Sequence, residues 1–150
     1  GDLFDTFAWR VSQFYPSVVF IMVGMNDCDE QYLLTVSDFR NNLLELVGKV
    51  KNIGAQPVLQ TPCTIRSNQN AGMVKRYYML IDVIREIGNI RSVPIIDHAK
   101  YWKENIDKSV SWMNDEMHPN KYGHRVMANY IFECISMDEA NYTTSTLFVP

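Results

Sequence analysis

The sequence predicts an α/β fold of three layers, in which helices cover both faces of a parallel sheet. Three short apolar segments alternate along the chain with segments of helical periodicity. Parallel strands need crossover connections, which helices commonly supply, so this alternation favours a parallel sheet. All of these elements lie within residues 1–136, which we expect to form one domain. Residues 137–150 have no helical period and are predicted to be a tail, either an extra strand or an extension that packs elsewhere.

The first predicted elements are a helix and a buried strand. Apolar residues recur at helical spacing from Leu3 to Phe14, and Pro16 ends the helix. The continuous apolar run SVVFIMVG, from Ser17 to Gly24, predicts a strand that is buried on both faces. It is the first strand of this chain, and an edge strand with two apolar faces invites aggregation. We therefore expect upstream sequence, the tail or another chain to pair with its free side.

Two further helix–strand pairs and a last helix follow. Ser37 as N-cap and Gly54 as the left-handed residue after the end delimit the next helix, and QPVLQTP is the second strand. A helix from about Ala71 to Ile87 leads to the third strand, VPIIDH. The final helix is predicted to begin at Asn120, because asparagine is among the best N-cap residues.

Composition is that of an ordinary soluble globular protein. The chain is 47% hydrophobic and 21% charged with a net charge of -3, so no nucleic-acid partner is expected. The longest apolar run, residues 18–23, is too short to cross a bilayer. Cys28, Cys63 and Cys134 are sparse and include no CxxC pair. They predict reduced thiols, which favour a cytoplasmic location over an oxidising one.

Polar residues cluster where the predicted strands end. Loops at the carboxyl ends of parallel strands hold ligands in such folds, and here they read GMND, CTIRSN and DHAKYW. The side-chain amide of Asn26 suits donation to a developing oxyanion, but Asn26 and Asp27 taken alone favour a polar turn. His98, which follows Asp97, either lines the cleft or caps the helix that comes next.

The segment NDEMHPN, just before the last helix, carries the strongest candidate pair. Asp115 precedes His118 by three residues, and a carboxylate that fixes one imidazole nitrogen makes histidine an effective proton shuttle. An ordinary capping loop, with both side chains in solvent, explains the same pattern. A metal site that adds His124 is a further alternative. It is weaker, because His124 would project away from the loop and no HExxH or paired-cysteine spacing accompanies it.

Taken in order, four segments resemble the GDSL (SGNH) hydrolase family: SVVFIMVGMND, IGAQPVLQTPCTI, VPIIDHAKYW and WMNDEMHPNKYGHRVMANYIF. GMND resembles the GxND block of the family and DEMHP its DxxHP block. The resemblance implies a flavodoxin-like sheet and a catalytic triad in which His118 is the general base and Asp115 orients it. It also implies oxyanion donors in the side chain of Asn26 and the backbone N–H of Gly1, unless Gly1 is only the point where the chain was cut. No cofactor or metal is implied.

The serine nucleophile of that family has no counterpart in this sequence. The family carries it in a GDS-type block after the first strand, whereas GDL at residues 1–3 has Leu3 in that place. Neither a GxSxG elbow nor an SxxK pair occurs. A missing serine block also explains the unpaired side of the first strand. The sequence thus predicts the C-terminal two-thirds of an esterase domain that lacks its first strand or strands and is inactive alone. An upstream segment or a separate chain would supply the serine.

Three functions are compatible with these features. The first is a serine ester hydrolase that acts on small-molecule or carbohydrate esters, such as acetyl groups. The second is a non-catalytic, truncated domain kept for binding or assembly, which the missing serine favours directly. The third is a metal-dependent hydrolase that uses Asp115, His118 and His124.

Overall fold

A parallel sheet of three strands, in the order β1-β2-β3, forms the centre of the molecule. The computed structural model describes residues 2–65, 70–137 and 149. The strands are β1 (Val18–Met22), β2 (Gln56–Gln60) and β3 (Ile95–Ile96). Met22 lies opposite Gln60, which in turn lies opposite Ile96. The predicted parallel sheet is confirmed, and the carboxyl ends of all three strands meet at one edge.

Helices connect and cover the strands. Within the described residues they are α1 (Asp2–Asp5), α2 (Phe7–Arg10), α3 (Val36–Asn52), α4 (Ala71–Arg91), α5 (His98–Glu104), α6 (Ile106–Ser109) and α7 (Lys121–Cys134). None of them is long and apolar enough to cross a lipid bilayer.

Two apolar clusters hold the helices against the sheet and give the predicted three layers. The larger cluster packs α3 and α4 against Ile21 of β1 and Leu59 of β2. The smaller one joins α5 and α7 around Trp102, Trp112 and Val126. Burying one Ile, Leu or Val side chain in these clusters removes apolar surface from water and contributes about 1.5–3 kcal/mol to the stability of the fold.

The first helix is broken, whereas the sequence predicts a continuous one as far as Phe14. It consists of α1, α2 and a 3-10 turn at Ser12–Phe14. The breaks fall at Thr6 and Val11, whose β-branched side chains lower helix propensity. Among the described residues of this segment only Phe7 is buried, so packing does not enforce a longer helix.

Helix α3 begins two residues earlier than predicted, because Thr35 rather than Ser37 is its N-cap. The Thr35 hydroxyl accepts the Asp38 N–H at 3.0 Å, and the Asp38 carboxylate accepts the Thr35 N–H at 3.1 Å. This reciprocal capping box requires a carboxylate or amide three residues after the cap, which only Thr35 has here. The predicted role of Gly54 is confirmed, since its φ is 79°.

The third strand is shorter than predicted because Asp97 leaves it to cap α5. The Asp97 carboxylate accepts the Lys100 N–H at 3.0 Å and the Thr61 hydroxyl at 3.0 Å, and pairs with Arg85 at 2.8 Å. Burial opposes ionisation of Asp97, but the guanidinium of Arg85 and the N–H of Lys100 more than offset it and lower its pKa.

His98 lies in the core, so neither of its predicted placements is correct. Its ring is fully buried, with Nε2 2.9 Å from Oε1 of Gln60 and edge-on contacts to Trp102 and Tyr130. Burial lowers the pKa of His98 to about 4, because the charged ring would lose its hydration. The ring is therefore neutral at physiological pH and donates to Gln60.

One side of β1 is free within the described part of the chain. Val18, Phe20 and Met22 alternate along the strand and are 45%, 42% and 51% exposed, whereas Ile21 is buried. The sequence predicts burial on both faces, but the described residues cover only one. The pairing partner expected for this edge remains a prediction.

His98 should make the fold sensitive to mild acid. The unfolded chain binds a proton at the ordinary pKa of 6.5 and the folded chain only at about 4. This contribution to stability is complete above pH 6.5 and is lost as the pH falls towards 4, by about 3 kcal/mol. Urea unfolding of wild type and of His98→Asn at a series of pH values measures it. In His98→Asn the free energy of unfolding should no longer fall between pH 6.5 and 4 through this group. His124→Asn, which replaces an exposed histidine, should keep that slope. Equal slopes in all three proteins would contradict the prediction.

Candidate active site

A cleft of about 430 Å³ opens at the carboxyl ends of β1 and β2. Its walls are the loop 22–27 after β1, Pro62 and Cys63 after β2, the loop 117–119 before α7, and His124 and Met127 of α7. Asn26 and His118, which are far apart in sequence, therefore line one cavity. Asp97 and His98, from the third predicted ligand loop, lie outside it and serve the fold.

Asp115 and His118 form a closed turn at the rim of this cleft. His118 Nδ1 lies 2.9 Å from Oδ2 and 3.0 Å from Oδ1 of Asp115. Oδ1 also accepts the backbone N–H groups of Met117 and His118, at 2.9 and 2.8 Å. These two N–H groups, with a smaller contribution from the imidazole, lower the pKa of Asp115 to about 2. An ionised carboxylate holds a proton on Nδ1 and leaves Nε2 as the acceptor nitrogen.

Asn120 fixes the loop that carries this pair. Its side-chain oxygen accepts the N–H groups of Tyr122 and Gly123, which confirms it as the N-cap of α7. Its side-chain nitrogen donates to the carbonyl of Ser111 at 2.8 Å, and its own N–H donates to Trp112. A Cβ at Gly123 would lie 2.2 Å from the Trp112 carbonyl oxygen, so no larger residue fits there. The loop is thus held from both ends.

The GMND segment both forms a polar turn and lines the cleft. The φ of Gly24 is 110°, a conformation that glycine adopts without strain. The Asp27 carboxylate accepts the Gly24 N–H at 3.1 Å and closes the turn. Asn26, exposed at the start of the 3-10 turn Asn26–Cys28, lines the cleft. Its amide therefore has access to a ligand in the cavity.

Sequence reasoning missed the apolar wall of the cleft, to which Cys63 and four methionines contribute (Met22, Met25, Met117 and Met127). Burial raises the pKa of the Cys63 thiol to about 11, so it is protonated at neutral pH and serves as an apolar surface. Its position in CTIRSN, directly after the second strand, was the available signal. All three cysteines are unpaired.

Two further sequence-based predictions concern Gly1 and the metal site with His124. Gly1 lies outside the described residues. His124 does line the cleft, but the described ranges contain no group of three His, Cys, Asp or Glu side chains placed to hold a metal ion. The described residues that line the cleft also include no serine.

The acidity of Asp115 should come mainly from the backbone of its own turn. Carbon-detected NMR titration should give a pKa of about 2 for this carboxyl, below its ordinary value of 3.8. In His118→Ala the backbone N–H groups remain, so the pKa should stay below 3.8 although the imidazole is gone. A return to 3.8 in that variant would show that the imidazole, not the turn, controls the carboxyl.

Comparison with known proteins gives the family. The model of the GDSL-like lipase/acylhydrolase family matches residues 2–131, while no curated protein matches the sequence. Among solved structures, a catalytic mutant of Axe2, an acetylxylan esterase from Geobacillus stearothermophilus, is similar with a TM-score of 0.77 and 24% identity, over 89% of this chain and 66% of that one. LAE5, an alpha/beta hydrolase from the metagenome of Lake Arreo, has a TM-score of 0.79 and 23% identity, over 92% and 68%.

The lipase/acylhydrolase from Enterococcus faecalis has a TM-score of 0.79 and 23% identity, over 89% of this chain and 68% of that one. At such identities the solved structures show the fold alone, and the chain spans about two thirds of their length. The family match, in contrast, covers most of the chain, including GMND and DEMHP. The chain therefore belongs to the GDSL-like lipase/acylhydrolase family.

Proposed function

We propose that the chain provides the acid–base and oxyanion groups of a serine ester hydrolase. One observation carries the proposal: His118, which is hydrogen-bonded to Asp115, lines the same cleft as Asn26. An acyl transfer needs a proton acceptor beside the nucleophile and a donor beside the carbonyl oxygen. The family match supports the placing of these groups, because both motifs fall within the matched residues.

The proposed reaction proceeds in two halves. A serine oxygen attacks the acyl carbonyl while His118 Nε2 takes its proton, and the Asp115 carboxylate stabilises the imidazolium that forms. The Asn26 amide donates to the oxyanion of the tetrahedral intermediate. His118 then gives the proton to the departing alcohol, which leaves an acyl-enzyme. Water attacks that ester in the same way, releases the acid and restores the serine.

The serine is proposed to arrive on a strand that pairs with the free side of β1. A parallel strand there would place its carboxyl end beside the loop 22–27, where Asn26 lies. The helix after that strand would cover the exposed side chains of Val18, Phe20 and Met22. The segment is either upstream sequence or a separate chain.

Small O-acyl esters, including acetyl groups on carbohydrates, are the proposed substrates. The supporting fact is that Axe2, which shares the fold, is an acetylxylan esterase. A non-catalytic binding module is the second candidate, because the described lining of the cleft contains no serine.

Reaction with a fluorophosphonate separates the two candidates. The chain alone should neither react nor hydrolyse p-nitrophenyl acetate, whereas the chain with its serine-bearing segment should do both. Labelling of the chain alone would place the nucleophile within it and contradict the proposal. We call the chain together with its serine-bearing segment the completed domain. Its failure to react would favour the binding module.

In the completed domain, substitutions should rank by role. His118→Ala removes the base and Asp115→Asn leaves it poorly oriented, and each should lower kcat by roughly 10³-fold or more. Asn26→Ala removes one oxyanion donor and should lower kcat by roughly 10²–10³-fold. Asp107→Asn and Asn89→Ala, matched changes at exposed positions outside the cleft, should leave kcat near wild type. Wild-type kcat in His118→Ala would exclude this histidine as the base.

Docking of the serine-bearing segment should depend on the outer face of β1. Phe20→Lys puts a charge on the surface that the segment would cover, so burial becomes costly. With the segment supplied as a separate chain, calorimetric titration should show binding weakened by roughly 10-fold or more. Ile90→Lys, a matched change at an exposed apolar residue of α4, should bind like wild type. Equal affinity in both variants would place the docking surface elsewhere.

A further inference from the structure

Hydrogen bonds hold the loop 24–28 on both sides of Asn26, whereas the Asn26 side chain forms none among the described residues. Asp27 accepts the Gly24 N–H, and the Cys28 thiol donates to the Met25 carbonyl at 2.7 Å. Burial raises the pKa of Cys28, so the thiol keeps the proton it donates. Among the described residues, the Asn26 side chain forms no hydrogen bond. Its direction therefore depends on the backbone that carries it.

Arg76 on α4 forms a hydrogen bond with this loop from outside it. Its Nε donates to the carbonyl oxygen of Asp27 at 3.0 Å, across 49 positions of sequence. One guanidinium nitrogen, Nη2, is buried and has no partner among the described residues. Removing a charged donor from water without a full set of partners is costly. Arg76 is outside the residues that line the cleft, so substrate contact does not explain its position.

We propose that Arg76 is a positioning residue, which holds the loop 24–28 from α4 and so aims the Asn26 amide into the cleft. The inference rests on the proposed role of Asn26 as an oxyanion donor. An oxyanion donor is effective only at about 2.7–3.1 Å from the developing charge. The bond from Arg76 acts on the Asp27–Cys28 peptide unit, so it fixes the backbone on the C-terminal side of Asn26, where a rotation would move the amide. The Asp27–Gly24 and Cys28–Met25 bonds close the loop on itself, whereas Arg76 anchors it to a long helix.

The anchor can be tested on the chain itself by amide hydrogen exchange. Arg76→Met keeps most of the side-chain length but removes the donor, and amides 24–29 should exchange roughly 10-fold faster or more. Arg76→Lys retains a charged donor and should return their exchange towards wild type. Arg40→Met is the control, because Arg40 of α3 pairs with Glu86 of α4 and not with the loop. It should leave the exchange rates of amides 24–29 unchanged. Unchanged exchange in Arg76→Met, or an increase spread evenly over α3 and β2, would overturn the proposal.

A double-mutant cycle on the completed domain shows whether Arg76 acts through Asn26. Arg76→Met alone should lower kcat by roughly 10-fold or more, with KM within about two-fold of wild type. In the Asn26→Ala background the same change should cost less than about two-fold, because the group it positions is gone. If the effects of Arg76→Met and Asn26→Ala on the activation free energy were fully additive, the proposal would be overturned. Wild-type kcat in Asn26→Ala alone would instead refute the proposed role of Asn26, and hydrogen exchange would still decide whether Arg76 anchors the loop.

Discussion

The parallel pairing of β1 and β2 is the constraint on which the candidate site depends. Because Met22 is in register with Gln60, both strands end at the same level and their following loops meet. This brings Asn26 and Cys63 to one cavity across more than thirty positions of sequence. An antiparallel pair would send the two loops to opposite edges of the sheet. The position of the cleft is therefore a consequence of topology, and the polar residues in the loops only determine its chemistry.

In two of the loops around the cleft, a polar residue that holds the backbone lies next to or near a polar residue that lines the cavity. Asp27 closes its turn on Gly24, and Asn26 beside it lines the cleft together with Asp27. Asn120 caps α7 and holds the preceding loop, which leaves His118 at the rim. A substitution in the supporting residue changes the geometry of the functional one without contact to a ligand.

Local sequence signals predicted the parts of the fold and site that local contacts build. The pair of Asp115 and His118 and the cap at Asn120 depend on neighbours within a few positions, and the structure has both contacts. Long-range contacts could not be predicted in this way. The burial of His98 against Gln60 depends on packing between β2 and α5, and a polar residue after a strand gives no sign of it. The contact of Arg76 with the Asp27 carbonyl likewise has no sequence pattern, because a backbone oxygen carries no residue identity.

The pair of Asp115 and His118 is held by contacts within its own segment and with α7. Asp115 is held ionised mainly by N–H groups of its own turn, and the turn is held by Asn120 and α7. None of these contacts involves β1 or its free edge. The position of the Asp115 carboxylate beside the His118 imidazole therefore does not depend on what pairs with that edge. The loop 24–28, in contrast, follows β1 directly, and Arg76 of α4 connects it to the helix layer through the Asp27 carbonyl.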